Sequence, residues 1–599
     1  MIHRKSSFLT WAVLTLLPLA TGGAIAAQDA PLSGDELSKY VGTYEQDNID
    51  GPIRVTIRNG YLTVEVRGRP PIRMKHVGGH KFLPDGMPDA TIVFKVRKGR
   101  VAGYTFRSPE ETNVATRIED AERKAGDVTV EPRTLHDADG REIEAEYGRL
   151  VVPENRSKRD ENLIELAFVR LKSTSKNPKA PLIYLNGGPG GSSTPQARRP
   201  QALSRWARFL PICDVILLDQ RGCGSSSPRL YWTPEDRPPT DLFSSEQRAL
   251  EYMLDVSRKA AQHFRERGVD LAGYTTAESA DDLNDLRIAL GAKQISLFGF
   301  SYGTHLAQAV IRRHGEHLEN VVICGVEGLA MTHKYPLNMD IQFRKLALMA
   351  ANDPGIAPHV PDLVALLDRV LEKLEREPID VEIVDPQSRK RVKVPVGKFG
   401  LQVILRFDIG DASDLPVFPK LLYTIDQGDP SVLKWFVQKR FSMFRGVNVL
   451  TWVMDGASGA SPQRWARIRA EAKQSAFGNV MNFPYPQVKK AYGVPDLGAD
   501  FRAPLISDVR TLLLSGTLDW NTPPHQAEEV RWGFSNGTHL IVENAGHEQI
   551  LPQPAIGKAI LDFLRGKDVH GVKVVLPPLK FVPIEGTDRS VTHPAVARR

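Results

Sequence analysis

The chain has 599 residues, more than one hydrophobic core usually supports, so two to four structural units are expected. Hydrophobic residues make up 41% of the chain and charged residues 25%, which excludes an intrinsically disordered protein. The formal net charge is only +7 and the basic residues are scattered, so nothing here indicates binding to nucleic acid.

The first residues have the pattern of a secretory signal peptide. Arg4 and Lys5 form a positive segment, an apolar run from Phe8 to Ala20 follows, and Ala24-Ile25-Ala26 offers small residues for cleavage. The run is shorter than the about 20 apolar residues of a membrane span, so no stable membrane anchor is predicted. We predict a signal peptide over residues 1–26 and an exported protein, periplasmic or secreted.

Residues 27–125 are predicted to form a small β-rich domain. Apolar and polar residues alternate from Ile53 to Ile57 and from Leu62 to Val66, on either side of Asn59-Gly60, which is typical of a tight hairpin. A second hairpin pattern centres on Lys98-Gly99. Since no residues in this domain have catalytic spacing, a packing or spacer role is favoured over ligand binding.

From about residue 140 the pattern changes to short apolar strands that alternate with helices, which predicts a mostly parallel sheet covered by helices. The strand-sized apolar runs are Ile164–Leu171, Pro181–Leu185, Asp214–Leu218, Ile295–Phe298, Asn320–Val326, Thr511–Leu514 and His539–Val542. Leu283, Leu286 and Leu290 mark one face of a helix that Gly291 ends.

The strand–helix alternation stops over residues 331–504. Apolar residues recur on one helical face from Leu363 to Leu374, and a hairpin-like stretch surrounds Asp385-Pro386. An insertion here lies over the carboxyl ends of the strands, where ligands bind, so we predict a largely helical cap. The predicted fold is therefore α/β, with a core of mostly parallel sheet at 126–330 and 505–599 (the latter with the C-terminal tail).

The nucleophile is predicted from Gly299-Phe300-Ser301-Tyr302-Gly303, a G-x-S-x-G sequence between a strand and a helix. In that context the serine stands on a sharp turn with its hydroxyl exposed at the helix N-terminus. We therefore expect Ser301 to be the catalytic nucleophile and the core to have the α/β-hydrolase fold, with an eight-stranded sheet.

A serine hydroxyl needs a base, and the base needs an orienting acid, in the chain order Ser, acid, His for this fold. Asp519 follows the strand at 511–514, and His547 follows the last predicted strand. Asp508 precedes its strand and would lie at the wrong edge of the sheet. His305 lies inside the predicted helix after Ser301, which favours a packed or solvated histidine. The predicted triad is Ser301, Asp519 and His547.

The oxyanion hole is predicted in the glycine-rich segment Asn186–Gly191, which directly follows a strand. Pro189 has no N–H, so the backbone donors are expected to be Gly188 and Tyr302. A phosphate-binding P-loop is excluded because no Lys-Ser/Thr pair follows the glycines.

A second loop follows the next strand and carries Asp219 and Arg221, which we interpret as residues that shape the loop beside the oxyanion hole. The chain has 3 cysteines, too few and too irregularly spaced for a zinc site or a disulfide scaffold. A Cys213–Cys223 bridge is compatible with export, and the sequence leaves it open. No metal and no cofactor are predicted.

Four motifs in fixed order resemble the proline iminopeptidase and tripeptidyl aminopeptidase branch of the α/β-hydrolases. They are G-G-P-G-G-S at 187–192, D-Q-R-G-C-G-S at 219–225, G-F-S-Y-G-T at 299–304 and G-T-L-D-W-N-T-P-P at 516–524. The resemblance covers roughly residues 140–330 and 505–565, with Asn186 where many hydrolases carry His. It implies cleavage of short or proline-containing peptides at the amino end.

An aminopeptidase must bind the free ammonium group of its substrate, and a carboxylate does this by a charge-assisted hydrogen bond. Members of the branch keep an acidic residue late in the cap, and Leu450–Asp455 is similar to that stretch, so Asp455 is a candidate. Glu327, just after a predicted strand, is a second candidate. Each is also compatible with an ordinary solvated or salt-bridged carboxylate.

The leading hypothesis is an exported serine aminopeptidase that acts on short peptides with a free N-terminus. An esterase or lipase with the same triad is the alternative, and a catalytically silent binding protein is a third. The composition does not predict the oligomeric state or the preferred residues of the substrate.

Overall fold

The computed structural model describes residues 32–584, apart from residues 33, 47–48, 50–52, 59–60, 67–70, 98–99, 119–123, 159–161 and 409–413. The chain divides into two compact units, one up to Arg123 and one from Lys124 onward. The predicted signal peptide at 1–26 and the turns Asn59-Gly60 and Lys98-Gly99 lie outside the described residues.

The first unit is a closed antiparallel barrel of eight strands. Its strands β1 to β8 are Gly42–Gln46, Ile53–Arg58, Tyr61–Glu65, Ile72–His76, Lys81–Pro84, Thr91–Arg97, Arg100–Arg107 and Thr112–Ile118. Both predicted hairpins are present, as the pairs β2–β3 and β6–β7. The alternation that predicted them turns one set of side chains into the barrel, where Ile53 and Leu62 are fully buried.

The core of the barrel contains both aliphatic and aromatic side chains. The rings of Tyr44 and Tyr104 lie 5.2 Å apart, and the rings of Tyr40 and Phe82 lie 5.1 Å apart. Small barrels are closed by side chains in this way, so the unit has its own hydrophobic core.

The second unit is built on a mixed sheet. Strands β9 to β22 of the chain are Val128–His136, Glu142–Pro153, Leu163–Leu171, Lys179–Leu185, Cys213–Leu218, Tyr231–Trp232, Ile295–Phe300, Leu318–Cys324, Ile379–Val384, Arg391–Val396, Val447–Asn448, Thr511–Gly516, Gly537–Glu543 and Val574–Val575. The sheet has the order β22-β21-β20-β16-β15-β12-β13-β11-β10-β9, parallel from β13 to β22 and antiparallel from β13 to β9.

The sheet is an α/β-hydrolase sheet, as predicted, but it has ten strands in the described residues rather than eight. The strand at one edge, β9, is almost entirely exposed, so its sequence lacks the apolar run of a buried strand. The strand at the opposite edge, β22, has two residues and is too short to be recognised from a pattern.

Helices cover both faces of the sheet and fill the insertion. Helices α1 to α16 of the described residues are Gly34–Ser38, Pro200–Ala207, Glu246–Arg265, Thr276–Ala289, Tyr302–His314, Leu337–Ala351, Leu363–Arg376, Lys398–Asp408, Phe418–Asp426, Ser431–Arg440, Val449–Ser458, Pro462–Ala472, Lys489–Tyr492, Gly498–Arg502, Pro524–Arg531 and Pro554–Leu564. In the part of the chain that the structure describes, no helix is long and apolar enough to cross a membrane.

Local signals explain the two helices that the sequence predicts most clearly. Thr275 caps α4 by accepting from the N–H of Glu278, and Gly291 with φ of +64° directly follows its end. Asp362 caps α7 by accepting from the N–H of Ala365.

The insertion between β16 and β20 contains α6 to α14 and the hairpin β17–β18, so it is mostly helical. The hairpin surrounds Asp385-Pro386, where the sequence predicts one. Because the parallel strands all point the same way, the residues that follow β12, β15, β16, β20 and β21 meet at one edge of the sheet, beneath this insertion.

Candidate active site

Ser301 stands on a strained turn between β15 and α5. Its φ and ψ are 53° and −124°, a conformation that costs of the order of 1–3 kcal/mol for a residue with a side chain. A Cβ on Gly299 would lie 2.5 Å from the carbonyl oxygen of Gly303, and one on Gly303 would lie 2.0 Å from that of Leu185. The two glycines are therefore required because strand and helix approach each other closely, as the sequence predicts.

Asp519 and His547 meet at the ends of β20 and β21. The Nδ1 of His547 donates to Oδ2 of Asp519 at 2.7 Å. Asp519 is fully buried and accepts three more hydrogen bonds, from the backbone N–H groups of Asn521 and Thr522 at 2.9 Å each and from the Thr522 hydroxyl at 2.6 Å. The carboxylate is thus fixed in place, and it fixes the tautomer and orientation of the imidazole.

The electrostatics of this pair favour a charged imidazole. Burial by itself would lower the pKa of His547, but the Asp519 carboxylate outweighs it and the pKa lies above the ordinary value of 6.5. Burial raises the pKa of Asp519, but His547 and the Thr522 hydrogen bonds outweigh it and the pKa lies below its ordinary value. The pair therefore suits a base that takes up a proton during a reaction.

The serine turn and His547 lie against each other at the carboxyl end of the sheet. The N–H of Ser301 donates to the carbonyl oxygen of Cys324 at 2.9 Å, and a Cβ on the next residue, Gly325, would lie 2.7 Å from Cε1 of His547. The rings of Phe300 and His547 lie 4.9 Å apart. The structure therefore brings Ser301, Asp519 and His547 together in one place.

The glycine-rich segment after β12 closes over Ser301. A Cβ on Gly187 would lie 2.8 Å from the Cβ of Ser301, so only glycine fits there. Within the described residues, the backbone N–H groups of Gly188 and Tyr302 donate to no protein acceptor. Two free N–H groups beside a serine are the arrangement that an oxyanion hole needs.

Asn186 braces this segment. Its Oδ1 accepts from the N–H of Gly187 at 2.9 Å and from the hydroxyl of Tyr184 at 3.2 Å, and its Nδ2 donates to the carbonyl oxygen of Ser192 at 3.0 Å. The residue that departs from many hydrolases at this position therefore holds the loop by side-chain hydrogen bonds.

Asp219 and Arg221 shape the neighbouring loop, as predicted. Asp219 is fully buried and accepts from the N–H groups of Ser193 and Thr194 at 2.6 and 3.0 Å and from that of Ser225 at 2.8 Å. Arg221 is fully buried and donates twice to Asp282, at 2.8 and 2.6 Å. Cys213 and Cys223, which the sequence left open as a bridge, are free and buried, and so is Cys324.

Two family models match the chain. One, described as the alpha/beta hydrolase fold, matches residues 180–357, which include Ser301; the other, described as a TAP-like protein, matches residues 489–571, which include Asp519 and His547. The chain belongs to the α/β-hydrolase superfamily. This confirms the family that the four motifs predict.

Curated relatives of this α/β-hydrolase include peptidases. The chain is 31% identical to the tripeptidyl aminopeptidase of Streptomyces lividans, over 30% of this chain and 35% of that protein. It is 29% identical to the serine protease Hip1 of Mycobacterium tuberculosis, over 30% and 35%, and 27% identical to the proline iminopeptidase of Neisseria gonorrhoeae, over 25% and 34%. The matches thus span about a third of each relative's length.

In this α/β-hydrolase, α11 of the insertion lies against the serine turn and the glycine-rich segment. The hydroxyl of Tyr302 donates to Sδ of Met454 at 3.2 Å, and the hydroxyl of Thr451 donates to the carbonyl oxygen of Pro189 at 2.7 Å. Asp455 directly follows Met454 in this helix. Burial raises the pKa of Tyr302, and the charges of Asp455 and Glu327 add to that rise, so both carboxylates lie near the serine turn.

The two candidate ammonium ligands differ in their partners. Glu327 is buried and pairs with Nζ of Lys334 at 2.5 Å. Asp455 is half-buried, and its carboxylate makes no hydrogen bond or ion pair within the described part of the chain. Burial first, and then the charge of Glu327, raises the pKa of Asp455 well above its ordinary value. Asp455 is therefore the carboxylate that lacks a cation.

Lys334 is a residue of the site that the sequence analysis missed. It lies in the segment between β16 and α6. Its Nζ donates to the Glu327 carboxylate and also to the carbonyl oxygen of Met331 at 3.2 Å. No local pattern marks it, because a single lysine in a polar segment is ordinarily a solvated residue. His305 is buried and packed, with Nε2 3.1 Å from the Ser458 hydroxyl, one of the two environments expected for it.

Proposed function

We propose that this α/β-hydrolase is a serine hydrolase in which Ser301 attacks a carbonyl carbon and forms an acyl-enzyme. His547 takes the proton of the Ser301 hydroxyl and passes it to the leaving group, while Asp519 stabilises the imidazolium. The N–H groups of Gly188 and Tyr302 donate to the oxyanion of the tetrahedral intermediate. A water molecule, which gives its proton to His547, then attacks the acyl-enzyme, and the acyl group is released as Ser301 regains its proton. The Asp519–His547 hydrogen bond of 2.7 Å beside the serine turn supports this assignment.

We propose further that the substrate is a short peptide with a free N-terminus and that the enzyme is an aminopeptidase. The observation that carries this step is the Asp455 carboxylate, which is half-buried, near the serine turn and without a cation among the described residues. An ammonium group supplies that cation by a charge-assisted hydrogen bond. One of the relatives is named a tripeptidyl aminopeptidase and another a proline iminopeptidase.

The test compares peptides with free and acetylated N-termini. Acetylation removes the ammonium charge and leaves the carboxylate without its partner, a loss of about 2–5 kcal/mol where such a pair is buried. Since about 1.4 kcal/mol corresponds to a factor of ten, kcat/KM should fall by more than tenfold. Equal cleavage of both peptides would indicate an enzyme that binds neutral acyl groups, as an esterase does, and would contradict the aminopeptidase proposal.

The variant Asp455→Asn locates the ammonium site. It should weaken free-amine substrates at least tenfold and leave labelling of Ser301 by a fluorophosphonate intact, because the probe has no ammonium group. Asp380→Asn, at an exposed position of the hairpin strand β17, is the matched control and should change neither. If Asp455→Asn has no effect and Glu327→Gln does, the ammonium ligand is Glu327.

We also propose export, on the positive, apolar and small-residue pattern of residues 1–26. Expression of the full chain in a bacterium, followed by fractionation and mass spectrometry, should give a mature protein that begins at Ala27 outside the cytoplasm. A protein that keeps residues 1–26 in the cytoplasm would contradict export and leave the hydrolase assignment untouched.

A further inference from the structure

A pocket of about 230 Å³ is lined in part by Trp452 of α11, the helix that packs against the serine turn through Met454. Most of its wall is apolar, and the aromatic or sulfur-containing lining residues are Met253, Phe407, Met443, Phe444, Trp452 and Phe483. Asn448 also lines it, and the Nδ2 of Asn448 donates to the carbonyl oxygen of Pro189 at 3.4 Å. This hydrogen bond therefore connects the wall of the pocket to the glycine-rich segment that covers Ser301.

Two hydrogen-bond donors in this apolar pocket have capacity to spare. Arg406 is half-buried, lies 4.3 Å from the centre of the Phe407 ring and donates to the carbonyl oxygen of Met481 at 3.3 Å. No carboxylate lies within ion-pair distance of it among the described residues. The indole N–H of Trp452 is buried and has no acceptor in that part of the chain. A buried donor without an acceptor, such as the Trp452 indole, is costly, so the pocket is suited to a group that accepts hydrogen bonds.

The pocket adjoins the proposed ammonium site. Trp452 and Asp455 are three residues apart on α11 and therefore share one side of the helix. Burial lowers the pKa of Arg406 to about 10, against an opposing contribution from the Asp455 charge. The Arg406 guanidinium and the Asp455 carboxyl group therefore influence each other electrostatically, although they form no ion pair within the described residues.

We propose that this pocket is the specificity site for the side chain of the substrate's first residue and that it selects glutamate. The proposal rests on the aminopeptidase function, with the ammonium group at Asp455. The two methylene groups of glutamate pack on the aromatic wall, and its carboxylate accepts from the guanidinium of Arg406 and the indole N–H of Trp452. Leucine leaves both donors unpaired, lysine is repelled by Arg406, and glutamine has the right shape without the charge.

The experiment is a binding comparison that needs no turnover. Full-length Ser301→Ala protein is titrated calorimetrically with Glu-Ala-Ala-Ala and Gln-Ala-Ala-Ala, each with a free and an acetylated N-terminus. The free-versus-acetylated ratio tests the ammonium site, and the Glu-versus-Gln ratio tests the pocket. We expect the free glutamyl peptide to bind at least tenfold more tightly than the free glutaminyl peptide.

Variants in the same background assign the selectivity to residues. Arg406→Met should bring the two peptides within threefold of each other, and Arg406→Lys should restore part of the difference. Arg440→Met is the matched control, because Arg440 lies over the same Phe407 ring at 5.5 Å but is not among the described residues that line the pocket, and it should keep the tenfold ratio. Trp452→Phe keeps an aromatic wall without the donor and should weaken both peptides by a similar factor.

The outcomes separate this proposal from the function on which it rests. If acetylation has no effect but the glutamyl preference persists and depends on Arg406, the proposal for the pocket is supported and the aminopeptidase proposal is contradicted. If free peptides bind better but Glu and Gln bind equally, the pocket proposal is overturned and the aminopeptidase stands. A preference that survives Arg406→Met, or no binding of any of the four peptides, also overturns it.

Discussion

Ser301 is held at the end of its strand by a backbone with φ of +53°, and the side chain is pressed against the glycine-rich segment, where Gly187 leaves room for it. A residue so constrained has little rotational freedom to lose when it reacts. The strain is offset by the packing of β15 and α5 around it. That packing is so close that a Cβ on either glycine of the turn would lie 2.5 Å or less from a backbone oxygen.

Replacing the nucleophile should abolish chemistry without unfolding the protein. Ser301→Ala removes only the hydroxyl, so we expect loss of fluorophosphonate labelling and a fall in kcat of at least about 10³-fold, with residual rate from substrate binding and the oxyanion hole. Circular dichroism and thermal unfolding check the fold, and Ser431→Ala on the exposed start of α10 is the control. Labelling at the wild-type rate in Ser301→Ala would exclude Ser301 as nucleophile.

The pH dependence of the rate should report the Asp519–His547 pair. The imidazole accepts a proton only when it is neutral, and its pKa is raised, so kcat/KM should fall with decreasing pH through a value above 6.5. Asp519→Asn removes the charge that raises this pKa while burial still lowers it, so the acid limb should move to lower pH. The same variant should lower kcat by up to about 10⁴-fold, because the tautomer is no longer held.

The pH–rate profiles of the wild-type protein and of Asp519→Asn, measured on one free-amine peptide, check the expected shift of the acid limb. A limb that stays at the same pH after Asp519→Asn would mean that His547 is not the titrating base.

At the scale of elements, the serine turn depends on the contact between α5 and β12. Gly303→Ala places a Cβ 2.0 Å from the carbonyl oxygen of Leu185, so the helix must move away from the sheet. We expect a loss of about 1–3 kcal/mol in the free energy of unfolding, or more, together with loss of activity. Gly315→Ala, at the other end of the helix, meets its nearest atoms at 3.8 Å and should change stability by no more than about 1 kcal/mol.

Urea unfolding of the two variants measures the difference. If Gly303→Ala is as stable and as active as Gly315→Ala, the close approach of helix and strand does not hold the turn.

Much of the candidate site could be predicted because its residues directly follow buried strands. An apolar run of strand length marks where a strand ends, and parallel strands bring those ends to one edge, so Ser301, Asp519 and His547 could be placed together from chain order alone. The edge strands β9 and β22 could not be predicted, since one is exposed and polar and the other has two residues.

The insertion shows where sequence reasoning stops. Its helices have apolar faces and caps that can be recognised, as at α7, but the pocket beside α11 takes its walls from segments that are far apart in the chain, around Met253, Arg406, Trp452 and Phe483. No spacing links such residues. Their meeting depends on how the helices of the insertion pack on each other and on α3, which local patterns do not encode.

For the whole molecule, the two units have separate cores. The barrel core consists of side chains between Leu37 and Ala115, whereas the serine turn, the glycine-rich segment, Asp519 and His547 all lie in the second unit. A unit whose apolar side chains pack on each other can fold alone. The sequence pattern favours a packing or spacer role for the barrel, and the structure shows that its interior is occupied by aliphatic and aromatic side chains.

A chain of residues 124–599 should therefore fold and react without the barrel. We expect fluorophosphonate labelling of Ser301 at a rate within threefold of the full-length protein, and the same kcat/KM for a dipeptide substrate, because every residue proposed for chemistry or ammonium binding is retained. Extending the substrates from two to ten residues tests recognition: if the truncated chain loses activity only on the long peptides, the barrel contributes to binding them. If it folds but cannot be labelled, the second unit does not form the site by itself, and the assignment of a spacer role is wrong.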